Sequence, residues 1–134
     1  MINILERITR WINLRRYIRQ LPFYLMREYG VKKYYDPQQV DRVAVHLQFD
    51  INYVEFGYAV DCDNRKSISE EIAKIRREYQ RIYKLPADFT IFNAIRLSQY
   101  KDNWVTSAQA DGEEYWRYLS QVEALEKNEI NKST

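Results

Sequence analysis

"SISEEIAKIRREYQRIYKLP", residues 67–86, is the stretch that decides the fold. Ile68, Ile72, Ile75, Tyr79 and Ile82 recur at steps of three and four, the spacing of one face of an α-helix. Ser67 and Glu70 have the spacing of a capping box, in which each side chain satisfies a backbone N–H that the first turn leaves open. Glu70 and Lys74 form a favourable pair one turn apart. Pro86 ends the pattern, because an interior proline lacks a donor and clashes with the turn before it. A helix is expected from Ser67 to about Lys84.

Outward from this helix, the same period dominates. Residues 2–20 read as a helix with Ile4 or Leu5, Ile8, Trp11 or Ile12, and Ile18 inward, and with Arg7, Arg10 and Asn13 on another side. Pro22 splits this run from a second helix, 22–29, which Gly30 closes. Asp36 and Pro37 suit the N-cap and first position of a third, with Val40, Val43, Ala44 and Leu47 on its apolar side. Asp50 caps a fourth, with Ile51, Val54, Tyr58 and Ala59 inward. Gly57 within it marks close approach of a neighbouring helix. Val54, Phe56, Tyr58 and Val60 also alternate, which leaves a strand as the alternative there.

Asp88 caps a largely apolar helix, "FTIFNAIRLSQY", that should be buried. Trp104 should anchor the loop 101–110. Asp111 with Glu114 opens a last helix, with Tyr115, Leu119, Val122 and Leu125 inward. The expected architecture is all-α: one domain, residues 1–128, built as an irregular bundle of five or six helices. A disordered polar tail, 129–134, follows.

Composition fits that reading. At 134 residues, 46% hydrophobic and 30% charged, the chain is long enough and apolar enough for one core. A single cysteine, Cys62, excludes an intrachain disulfide. No apolar run reaches the roughly 18 residues a spanning helix needs. The first twenty residues lack a signal-peptide pattern, so the expected location is cytoplasmic.

Few residues nominate catalysis. His46 is the one histidine, and with Cys62 it lacks the paired spacing of zinc ligands. An enzyme centred on Cys62 or His46 is the weakest of three functional readings. Asp61 and Asp63 could begin a calcium loop, but Lys66 stands where glycine is needed and Ile72 where a glutamate is needed. Gly30, Gly57 and Gly112 are isolated and make no phosphate loop. Segments 37–47 and 51–60 have helix-turn-helix length. The second carries Asp50, Glu55 and Asp61 around it and no cation, the wrong sign for DNA. No cofactor, metal or catalytic residue is assigned.

The net charge of +2 hides alternating blocks. Residues 1–35 hold eight basic and two acidic residues, and 36–71 hold three and eight. Residues 72–101 hold seven and two, and 102–134 hold three and seven. Arg7, Arg10, Arg15, Arg16, Arg19, Lys32 and Lys33, with Arg76, Arg77 and Arg81, are the candidate sites for an anion or a partner. Either they meet the chain's own acidic blocks or they form an exposed basic face.

RRYIRQLP at 15–22, YG at 29–30, KYYDPQQV at 33–40 and FGYA at 56–59 form a pattern. Its positions are Tyr17, Leu21, Pro22, Tyr29, Gly30, Tyr34, Tyr35, Pro37, Gln39, Val40, Tyr53, Tyr58 and Ala59. In this pattern the chain resembles a family of small bacterial proteins of unknown function. The resemblance implies no activity, cofactor or site residue.

The expectation that follows is a non-enzymatic protein-interaction or regulatory module, with a protein partner or a homodimer through a Tyr-rich face. Twelve tyrosines motivate it. The alternative is a polyanion binder, for nucleic acid or an anionic membrane surface, through the basic N-terminal helices.

Overall fold

The computed structural model describes residues 3–65, 68–97 and 108–133. Among them are helices α1 (Ile4–Arg19), α2 (Leu21–Tyr29), α3 (Pro37–His46), α4 (Val54–Asp61), α5 (Glu70–Tyr83), α6 (Ile91–Ile95) and α7 (Ala108–Ser133). A 3-10 turn, Ile51–Tyr53, leads into α4. The protein is all-α, an irregular bundle, and segment 54–60 is helical rather than a strand.

Local chemistry sets the helix ends. Asn3 Oδ1 accepts from the Glu6 backbone N–H (2.8 Å) and starts α1. Pro22 sits in the first turn of α2, and Gly30 closes that helix at φ +84°, a conformation that favours glycine. Pro37 opens α3, where the Gln39 side chain accepts from the Asp36 backbone N–H (3.0 Å). The cap of α5 is Ser69, whose Oγ accepts from the Ile72 N–H (3.1 Å); Ser67 lies outside the described residues. Thr90 rather than Asp88 caps α6, through Phe92 N–H (3.1 Å) and the reciprocal Asn93 side chain (2.9 Å). The last helix already runs from Ala108, so Asp111 lies within it and is not its cap. The same helix continues to Ser133, so the tail expected to be disordered is helical through that residue. The expected anchoring role of Trp104 lies outside the described residues.

Helix α4 is the hub: α1, α3, α5 and α6 all pack on it. Gly57 makes this possible. A Cβ there would stand 2.8 Å from Val40 Cγ1 and 3.2 Å from Leu21 Cδ2 and Tyr17 Cδ1. Phe56, Gly57, Ala59 and Val60 face inward, while Ile51 is exposed, so the inward face of this helix is rotated from the expected one.

Tyrosines tie the core together. Tyr79 Oη donates to the Leu14 carbonyl (2.6 Å), Tyr17 Oη to the Asp50 carbonyl (2.7 Å) and Tyr115 Oη to the Ile95 carbonyl (3.1 Å). Each buries a large ring and satisfies its hydroxyl on a different element's backbone. Burial pushes the Tyr17 hydroxyl pKa up to about 12, and that of Tyr79 well above its ordinary value. Much of the tyrosine excess is therefore spent inside the molecule.

Candidate functional site: the outward face of α1

The largest departure from the sequence reading is in α1. Its core-facing residues are Asn13, Leu14, Tyr17 and Ile18. Ile8, with Ile4 or Leu5 and Trp11 or Ile12, was expected inward beside Ile18; Ile18 is buried, but Ile4, Leu5, Ile8, Trp11 and Ile12 are 73%, 74%, 50%, 52% and 50% exposed. Burial changes along the helix: the exposed apolar residues fall in 4–12 and the buried ones in 13–18, the half of α1 that holds Leu14, Tyr17 and Ile18; α1 packs on α2, α4 and α6. Asn13 tolerates burial because its Nδ2 donates to the Thr9 carbonyl of its own helix (2.8 Å).

The exposed residues form a continuous stripe, since positions 4, 8, 11 and 15 fall one turn apart, with 5 and 12 beside them; the buried Ile18 ends it. Arg15 is exposed at the end of this stripe, and its guanidinium lies over the Trp11 ring at 5.6 Å. Arg7 is exposed beside it and makes no ion pair among the described residues. Residues 3–9 are exposed all round.

Four other candidate cations are held by the chain's own acids or carbonyls. Arg10 grips Glu78 through two hydrogen bonds of 2.7 Å, and that bond holds the Glu78 carboxyl below the usual range. Lys33 Nζ meets Glu129 at 3.0 Å, and Arg77 meets Glu70 at 3.6 Å. Arg76 donates to the carbonyls of Ala59, Ala87 and Phe89 while lying 3.9 Å over the Phe89 ring. Arg16 lies over Phe49 (4.1 Å), Arg19 over Tyr83 (5.8 Å) and Lys32 over Tyr35 (4.9 Å). Arg81 is exposed, and its charge acts on Glu78. Where α1 meets α5 the charges alternate, Arg10 to Glu78 to Arg81, instead of adding.

The chemistry-bearing residues do not converge. His46 lines a cavity of about 290 Å³ between α2 and α3, and Cys62 lines a different one of about 320 Å³. Burial pushes the Cys62 thiol up to about 12, so little of it is thiolate near neutrality. The second cavity also takes in Lys33, Arg65 and Arg76, all engaged elsewhere: Arg65 binds Asp63 at 2.7 Å. Asp61 is fully buried, and neither carboxylate oxygen has a hydrogen-bond partner among the described residues. Desolvation alone raises its pKa well above the ordinary value, so the neutral acid is the favoured form. Among the described residues, no three of His, Cys, Asp and Glu gather as metal ligands.

A family model described as a family of unknown function, DUF6559, matches residues 5–115. The chain belongs to DUF6559. No curated protein and no solved structure matches it. In this DUF6559 chain the match extends far beyond the pattern at 15–60, reaching from the first turn of α1 into α7. It includes most of the outward stripe, from Leu5 to Arg15. Among the described residues of this DUF6559 chain, no helix is long and apolar enough to cross a membrane.

Proposed function

We propose that this protein is a non-enzymatic interaction module whose docking element is the outward face of α1. The observation that carries this reading is the stripe Ile4, Leu5, Ile8, Trp11 and Ile12, all at least half exposed on one side of one helix. Exposed apolar residues scattered singly are ordinary on a protein surface; a contiguous row with a tryptophan in it marks a contact site. The dispersal of His46 and Cys62 over separate cavities supports a role in binding more than one in catalysis. A Tyr-rich homodimer face has less support, because Tyr17, Tyr35, Tyr79, Tyr115 and Tyr118 are buried. A nucleic-acid groove built from both basic stripes also has less support, because Arg10, Lys33, Arg76 and Arg77 are already engaged within the chain.

Site-directed photo-crosslinking in the native cell tests this. A crosslinking side chain at Ile8 or Ile12 is expected to give adducts, whether to protein or to lipid. The matched control is Val45, an exposed apolar residue on α3 without such a row. Adducts from Val45 equal to those from Ile8, or none from α1, would remove the docking role.

A further inference from the structure

Beyond the α1 face, we infer that the cleft between α2 and α3 binds a small zwitterion, a free α-amino acid with an apolar side chain. The cleft encloses about 290 Å³, at the lower edge of the roughly 300–1,000 Å³ of small-molecule sites, so its occupant is small. Its floor is apolar, with Val43 buried and Tyr24 and Leu47 half-buried. Its rim is polar on both sides. Glu28 stands on α2, Arg42 and His46 stand one turn apart on α3, and all three are exposed.

What sets this rim apart is that its polar groups are uncommitted. Among the described residues, the side chains of Glu28, Arg42 and His46 make no hydrogen bond, ion pair or ring contact. Acid and cation border one cleft without meeting, so a gap lies between them. The other charge at the cleft, Arg27, is bound to Glu114 (2.7 and 3.1 Å). The cations of the Cys62 cavity are engaged likewise. Capping does not use Arg42 or His46 either. The Val43, Ala44 and Val45 carbonyls at this end of α3 accept from the Leu47, Phe49 and Gln48 backbone N–H groups.

Each part of a free apolar amino acid has a counterpart here. The Arg42 guanidinium takes the carboxylate, two donors to two oxygens, and a His46 ring N–H stands beside it. Glu28, on the opposite helix, takes the ammonium. The side chain covers Val43, Leu47 and the Tyr24 ring. A carboxylate without an ammonium would leave Glu28 facing an anion, and an amine without a carboxylate would leave Arg42 facing a cation. A metal ion has too few ligands, because no third His, Cys, Asp or Glu joins His46 and Glu28 among the described residues.

The test is titration of the full chain with L-leucine and with L-phenylalanine, followed by NMR. His46 is the one histidine, so its ring protons are an isolated reporter at the rim. Saturable shifts are expected there and at the Tyr24, Val43 and Leu47 amides. Isocaproate, which is leucine without its ammonium, should bind at least about tenfold more weakly, and so should isoamylamine, which is leucine without its carboxylate. Arg42→Gln and Glu28→Gln should each weaken leucine binding by a similar factor. Both variants change exposed side chains, and unchanged thermal melts would show that the fold survives. No saturable shift with either amino acid, or shifts confined to residues away from the cleft, overturns the site. Isocaproate binding as tight as that of leucine, or wild-type affinity in either variant, overturns the zwitterion assignment. The α1 crosslinks report on a different element, so the docking role and this site stand or fall separately.

Discussion

At the scale of single residues, the least expected group is Asp61. Its backbone carbonyl is used, accepting from Tyr35 N–H (2.8 Å), but its carboxyl is buried without a partner. A carboxylic acid raised by desolvation binds a proton in the folded state that the unfolded state has released. Stability is then greatest below the ordinary carboxylate pKa and declines as pH rises from about 4, by up to about 1.4 kcal/mol per pH unit. Glu78 and Glu114 have the opposite sign. Bonds from Arg10 and Arg27 lower them, so their contribution is present above the ordinary pKa and lost on acidification. Both are partly exposed, so theirs is the smaller effect. Urea denaturation of the wild type and of Asp61→Asn between pH 5 and 8 should separate the two, with the wild type losing stability over that range and the variant nearly level. Parallel curves would show that Asp61 is not held neutral. Nothing in the sequence distinguished Asp61 from its neighbours Asp50 and Asp63, since burial of a loop-edge acid is a product of tertiary packing. The cap at Asp36 and the φ-positive closure at Gly30 were legible, because both depend on residues within a few positions.

At the scale of elements, helix existence was readable and helix orientation was not. Proline and glycine positions separate α1, α2 and α3, and α5 follows from its own period. Caps shift by two residues where hydroxyl side chains compete, as Ser69 does at α5 and Thr90 at α6. At α1 the expected face held for Ile18, which is buried, and failed for Ile4, Leu5, Ile8, Trp11 and Ile12, which are exposed. Spacing gives the face of a helix but not how far along its length the body reaches, and that left the first three turns as the candidate site. Gly57 was read correctly from its position in a short apolar helix. Adding a methyl there should destabilise the protein by about 1–2 kcal/mol, the overpacking against Val40 exceeding the usual helical gain of alanine over glycine. Chemical denaturation of Gly57→Ala checks this; an unchanged or higher midpoint would mean that α3 and α4 do not approach so closely.

At the scale of the whole molecule, alternating charge blocks mainly serve the fold. Arg10 with Glu78, Arg27 with Glu114, Lys33 with Glu129 and Arg96 with Glu126 each join segments far apart in sequence. Apart from these pairs, the molecule presents one exposed apolar edge, the first three turns of α1. That edge is the central claim, and Trp11 reports on it from within. With Trp104→Phe and Trp116→Phe, Trp11 is the one remaining tryptophan. Its emission in the free protein should lie to the red, that of an indole half exposed to water. An emission well to the blue, that of a buried indole, would contradict the account.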